Sequence, residues 1–229
     1  MKRFLFLVFF VSIAQLFYGQ EKYTITGELP DHSLDNTYLI LRNMSALGEE
    51  RKRASHAFID SILIKNGKFV YEGVLFQKPF LAGIRSVKNS KILNELFVIE
   101  PGNIHIRISN WNNKTVVSGT PINEDYNTYM LVGKGDLEKQ LCFLEKYASY
   151  PDVIRFHLSF HIEGKKVSKK PYFSKCMQIL DKMPEPDRSI LLSWRDYTIQ
   201  RDEYREKTKP LMDSIRNNAP RYVETVLKD

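Results

Sequence analysis

The chain predicts an α+β fold, with an antiparallel β-sandwich or partly open barrel over residues 21–120 followed by an all-helical region over 121–229. Three observations lead there. Between Tyr23 and Thr120 apolar and polar residues alternate with period two in short runs. Turn chemistry, Asn66-Gly67 and Pro101-Gly102 above all, separates those runs. After Pro121 the apolar spacing lengthens to three and four, the period of helices. Seven or so short strands with frequent turns, then helices, argue layers built from an antiparallel sheet.

In the first strand Thr24, Thr26 and Glu28 alternate with Ile25 and Gly27, and a second follows at 37–42 after the turn residues Pro30-Asp31-His32-Ser33. Residues 44–56, with Glu49, Glu50, Arg51, Lys52 and Arg53 in sequence, read as a loop. From Ser61 to Gly73 the pattern predicts a hairpin. Ile62 and Ile64 approach Asn66-Gly67, which tolerates the positive φ angles of a type I′ turn, and Phe69, Val70 and Tyr71 leave it. Further strands are expected at 80–87, 95–100, 103–109 and 115–118. Pro101-Gly102 suits the two central positions of a type II turn. Beyond it Ile104, Ile106 and Ile108 face one way and His105, Arg107 and Ser109 the other, so one face of the sheet is wet.

Helical sequence opens at Asn123. Asp136 can cap a helix through Ala148 that shares Leu137, Leu141, Leu144 and Ala148 on one face, and Pro151 fits the first turn of the next, through Ile162. That helix carries a stripe of Val153, Phe156 and Phe160. Another runs over 172–183. The longest begins near Pro186, with an apolar stripe of Ile190, Leu191, Trp194, Tyr197 and Tyr204 expected in the core and Glu203 four residues before Lys207. Pro210 and Pro220 punctuate the remainder of the chain.

Residues 1–20 have the order of an export signal, because Lys2 and Arg3 precede the apolar run from Phe4 to Val11. A membrane-spanning helix needs about 20 apolar residues, and Ser12 and Gln15 interrupt this run. The expectation is therefore an exported protein, periplasmic or secreted, with no stable membrane insertion after cleavage. Losing Lys2 and Arg3 lowers the formal net charge from +7, a modest basic excess mixed with acids nearly everywhere. Nucleic-acid binders gather their bases in a stripe, so no nucleic-acid partner is expected. The one basic cluster, Lys165, Lys166, Lys169, Lys170 and Lys175, reads as a solvated loop between helices.

Export would carry Cys142 and Cys176 into an oxidising compartment, which allows a disulfide between them. Helical phase places Cys142 off the apolar face, near Glu138 and Glu145, and Cys176 on one with Phe173, Ile179, Leu180 and Met183. An exposed and a buried cysteine need not meet, so the bridge stays open. His157 and His161 stand four apart, the spacing of a metal pair, but no third ligand is suggested and the flank of an apolar helix explains both. Ser118-Gly-Thr120 lacks the elbow of a serine nucleophile, Gly133-Lys-Gly135 is too short for a phosphate loop, and no Cys-x-x-Cys supplies the attacking and resolving thiols of disulfide exchange. Asn43 and Asn113 begin sequons that matter only in a eukaryotic source. No catalytic residue, metal ligand or cofactor is assigned.

Taken in order, Tyr23-Thr-Ile-Thr-Gly27, Asn66-Gly-Lys-Phe69 with Gly73, Glu100-Pro-Gly102, and Ser118-Gly-Thr-Pro121 with Asn123 resemble an uncharacterised β domain of exported bacterial proteins. That domain commonly precedes a thioredoxin-like thiol:disulfide oxidoreductase domain. The resemblance runs from Tyr23 to Tyr129. The stretch from Phe143 to Asp152 resembles the spacer between the two domains, and Asn218-Ala-Pro-Arg-Tyr222 faintly resembles the entry to the catalytic one. The resemblance implies an exported, non-catalytic accessory or interaction module with a protein partner in the envelope, a thioredoxin-like protein among the candidates. Two alternatives stand beside it: a redox partner or degenerate oxidoreductase using Cys142 or Cys176, and a glycan- or peptide-binding module on the wet sheet face or in the cleft between the two parts.

Overall fold

The computed structural model describes residues 21–45, 58–88, 93–109, 115–132, 136–164 and 166–218. Residues 1–20, most of the expected 44–56 loop, Asn113, Gly133-Lys-Gly135, Lys165 and residues 219–229 lie outside them. Eight strands come first: β1 (Glu21–Glu28), β2 (Tyr38–Asn43), β3 (Phe58–Leu63), β4 (Lys68–Leu75), β5 (Phe80–Ser86), β6 (Asn94–Ile99), β7 (Gly102–Arg107) and β8 (Val116–Ser118). They form two four-stranded sheets, ordered β4-β1-β7-β8 and β3-β2-β5-β6, and no closed barrel. Every pair is antiparallel except β1 with β7, which run parallel.

The two turns read from sequence form, but neither closes a hairpin within one sheet. Asn66 and Gly67 take φ of 52° and 66°, as a type I′ turn requires, and Lys65 and Lys68 exchange both backbone hydrogen bonds. Beyond that bridge the arms part, β3 into one sheet and β4 into the other. The connection between β1 and β2 wedges them open. Leu29 N–H donates to the Gly67 carbonyl, Gly67 N–H donates to the Asp35 carboxylate, and Ile64 exchanges backbone bonds with Asn36 and Thr37. The Gly67 N–H, and then His32, hold the Asp35 carboxyl below the usual carboxylate range. At the other corner Gly102, at φ 115°, turns the chain from β6 across the sandwich, so β7 enters the opposite sheet running with β1.

Between the sheets lies a dry core that includes Ile25, Leu39, Leu41, Ile84, Phe97 and Ile104. The β1–β4 pair shows why its glycines are glycines. Tyr23 stands opposite Gly73 and Gly27 opposite Phe69, so each ring lies over a residue without a side chain. A Cβ on Gly27 would sit 1.9 Å from the Phe69 ring, and one on Gly73 would sit 2.4 Å from the Tyr23 ring. Two separate sequence motifs are thus one reciprocal pair.

Five helices follow: α1 (Pro121–Val132), α2 (Leu137–Lys146), α3 (Pro151–Ile162), α4 (Phe173–Asp181) and α5 (Asp187–Asn218). Asp136 caps α2 through the Lys139 N–H at 3.2 Å, and Pro151 opens α3. The helices cover the outer face of the second sheet, making a third layer. Strand β5 is consequently buried on both sides: Ala82 and Ile84 meet the sandwich core while Leu81 meets the helices, together with Val98 of β6. Among the described residues no helix is long and apolar enough to cross a membrane.

Helix α1 also seals one edge of the sandwich. Asn123 accepts from the Val98 N–H of β6 at 2.8 Å and donates to the Val98 carbonyl at 2.7 Å. One turn on, Asn127 accepts from the Val117 N–H of β8 at 3.1 Å and donates to the Val117 carbonyl. Two side chains on one helical face thus satisfy backbone at both edge strands.

Two helices differ from expectation. In α3 the buried residues include Val153, Ile154, Arg155, His157, Leu158 and Ile162, while Phe160 is exposed, because neighbours on several sides use more of the helix than a single stripe. Arg155 is a buried joint: Nε donates to the Ser45 carbonyl at 2.8 Å and the guanidinium meets Asp187 at 3.0 Å and Asp152 at 3.3 Å. In α5 Leu191 is buried, but Tyr197 and Tyr204 are exposed rather than core. Pro210 lies inside this helix without ending it. The carbonyl that loses its backbone donor there, on Glu206, belongs to an exposed residue.

Candidate functional site

Among the described residues, three of the places that could meet another molecule bear on function. The first is the outer face of the β4-β1-β7-β8 sheet, where a groove of about 520 Å³ is lined by Thr26, Glu28, Lys68, Val70, His105 and Arg107, with Val116 and Ser118 from β8. The pleat puts them there, since Ile25, Ile104 and Ile106 take the core side. Thr26 Oγ1 lies 2.7 Å from His105 Nδ1, and Lys68 pairs with Glu28 at 3.3 Å. Arg107 has no ion pair among the described residues, so its guanidinium can take a carboxylate. Ser118 stands across from His105 in the register. Among the described residues no hydrogen bond joins the two, and the imidazole is instead engaged by Thr26. The only Phe, Tyr or Trp ring among the described lining residues, that of Phe69, is buried, so no stacking platform of that kind faces a sugar.

A second, smaller groove of about 210 Å³ lies between α1 and α2, lined by Asp125, Thr128, Tyr129, Lys139, Cys142, Phe143 and Lys146. Asp125 accepts from both Lys146 and Tyr147. Cys142 and Cys176 are free thiols, the first exposed and the second buried. Burial pushes the Cys176 thiol up to about 11, which makes it a poor nucleophile.

Third, the outer half of α5 carries exposed apolar side chains. Tyr197, Tyr204 and Leu211 recur every seven residues and Ile215 lies four beyond, each more than half exposed. This is the spacing of a helix–helix seam. The two tyrosines were expected in the core from their spacing, which reports the side they share and not what covers it.

The histidine pair is divided between two aromatic neighbourhoods. His157 Nε2 lies 3.0 Å from the Tyr126 hydroxyl, and its ring meets Tyr129 and Phe156 edge-on. His161 faces the Tyr172 ring. Among the described residues no group of three or more His, Cys, Asp or Glu could hold a metal ion. Burial pushes the His157 pKa down to about 3 and lowers that of His161 as well. An unfolded histidine titrates near 6.5, so between pH 6.5 and about 3 the unfolded chain binds the extra proton and stability falls with falling pH. From pH 6.5 to 4 the expected loss through this residue is about 2–3 kcal/mol. Denaturant melts across that range, compared with His157→Gln, check it: equal slopes would remove the assignment.

Of the basic cluster, Lys166, Lys169 and Lys170 are exposed, whereas Lys175 joins Lys182 in clamping Glu145, linking α4 to α2. Those hydrogen bonds hold the Glu145 carboxyl down to about 2. Asn43 is engaged locally, accepting from the Ser45 N–H and hydroxyl.

The residues of the sequence motifs meet at one corner. Asn123 N–H donates to Glu100 at 2.9 Å, and the Asn123 amide reaches Thr120 at 2.9 Å and Glu100 at 3.3 Å, all buried. Sequence reasoning missed this network because its members are polar and lie 23 residues apart. Their place in the ordered motifs Glu100-Pro-Gly102 and Ser118-Gly-Thr-Pro121 with Asn123 was the available signal. Comparison with curated proteins gives no match. A DUF4369 domain, a domain of unknown function, is found at residues 23–126, a span that takes in the strand–glycine pair and the Asn123 corner and ends inside α1.

Proposed function

We propose that the chain is an exported, non-catalytic accessory module of the bacterial envelope that binds another protein through the outer half of α5. The observation that carries this reading is the seam of Tyr197, Tyr204, Leu211 and Ile215 on a helix whose outer half carries exposed apolar side chains. A row of large apolar side chains held in water at heptad spacing fits another helix. Export rests on the order of charge and apolarity in residues 1–20, and the relation to thiol:disulfide interchange proteins rests on the ordered motifs. A thioredoxin-like protein of the same compartment is therefore the partner to test first.

Titration of the full chain with such a protein should give saturable binding, weakened at least tenfold by Leu211→Asp with Ile215→Asp and unchanged by Arg107→Ala. Equal binding by the α5 variant would sink the reading. A redox role is favoured by one observation, the exposed Cys142 in a groove beside Lys139 and Lys146. Insulin reduction by the chain, abolished by Cys142→Ser, would make that the better reading.

A further inference from the structure

Between Glu203 and Arg216 every residue of α5 but Thr208 is exposed. At about 100° per residue the seam of Tyr204, Leu211 and Ile215 has two margins, and the charges are sorted between them and the back of the helix. Arg205, Lys209 and Arg216 share one margin with the exposed Met212, because the four follow at intervals of four, three and four. Lys207 borders the seam on its other side, with Glu203 further round. Glu206 and Asp213 lie on the side away from the seam. Among the described residues Arg205, Lys207, Lys209 and Arg216 have no ion pair, and the pair expected between Glu203 and Lys207 is not formed. Arg201, nearer the body of the protein, is instead held by Glu163 at 2.9 Å and Asp202 at 3.4 Å.

We infer, resting on the docking through α5 proposed above, that the partner presents an amphipathic helix whose apolar stripe is bordered by aspartate or glutamate. Charges beside a helical seam choose the partner, since opposite signs attract as the two stripes close and like signs repel. Both margins of this seam are positive next to the apolar side chains, so a partner with acids on both borders fits whichever way its helix runs. An anionic bilayer would meet the same bases. Yet lipid surfaces hold helices whose polar side is rich in Lys and Arg, and the stretch from Glu203 to Arg216 has four bases and three acids, a net charge of only +1. The bases are distinguished by where they stand and not by their excess. A discrete helix with its own ordered borders reads that placement; a uniform sheet of charge reads the sum.

Two heptad-repeat peptides with leucine at the seam positions, one bordered by glutamate and the other by lysine, test this against the full chain by fluorescence anisotropy. The glutamate peptide should bind saturably and at least tenfold more tightly than the lysine peptide, and added salt should weaken it. Arg205→Glu with Lys209→Glu leaves the apolar seam intact and should reverse the preference, with circular dichroism confirming the fold. Lys207→Glu with Arg216→Glu gives an independent reversal should the first pair fail to fold. Equal binding of the two peptides by wild type, or a folded charge variant that keeps the wild-type preference, overturns the acidic chemistry. Should Leu211→Asp with Ile215→Asp still weaken binding of the protein partner in that case, α5 stands as the docking surface and only the partner's chemistry falls. Sedimentation of the chain with phosphatidylglycerol vesicles, with neither peptide bound, would overturn the inference in favour of a lipid surface.

Discussion

Replacing Asn123 with alanine lowers the unfolding free energy by about 3–5 kcal/mol, the range for breaking a buried polar network. The side chain is wholly buried and bonds to both backbone groups of Val98, to Thr120 and to Glu100. Alanine removes these partners together and leaves the edge of β6 beneath a helix that can no longer satisfy it. Glu100, 4% exposed, loses one of its donors. For a chain of this size each kcal/mol is worth about 2–4 °C, so Tm should fall by roughly 10 °C or more. Asn123→Asp keeps an acceptor for the Val98 N–H but cannot donate to the carbonyl and repels Glu100, so it should rescue little. A thermal melt within about 3 °C of wild type for the alanine variant would show that the network contributes little to stability.

Gly119→Ala should be comparably damaging. Gly119 sits at φ 92°, where a side chain is strained, and a Cβ would come within 2.2 Å of the Asn103 carbonyl oxygen. The obstacle is backbone of β7, so relief must come from shifting β8 or the start of α1, the elements that set Asn127 and Asn123 against the edges. A loss of about 3 kcal/mol or more is expected. Gly102→Ala is the contrast: its φ of 115° also disfavours a side chain, but the nearest atom is the Thr120 methyl at 3.2 Å. Chemical denaturation of the three proteins should therefore rank wild type above Gly102→Ala above Gly119→Ala. The reverse order would mean that torsion, not collision, governs this corner.

Strand positions were legible because one wet and one dry face impose period two, and the turn at Asn66-Gly67 was legible because two positive φ angles select those residues. What the turn joins was not. Hydrogen bonds donated by Leu29 and Asn36 and accepted by Asp35 decide that β3 and β4 diverge, and nothing local to the turn encodes them. The parallel pairing of β1 with β7 escaped for the same reason. Among the helices, periodicity found the inward faces of α2 and α4. It failed in α3, where Arg155 and His157 are buried by partners beyond β2, on α1 and on α5, and in α5, where the stripe is real but Tyr197 and Tyr204 have solvent over them. The Asn123 corner could be seen only as letters of the ordered motifs.

The strand β5, dry on both sides, bears on how the polypeptide can be divided. A cut after residue 120 follows the change from pleated to coiled backbone, yet it would strip the helical blanket from Leu81 and Val98 and uncap β6 and β8 in the same stroke. The amino-terminal piece so released would be a sticky fragment rather than a module, and heredity of the fold must pass through α1 as surely as through the strands.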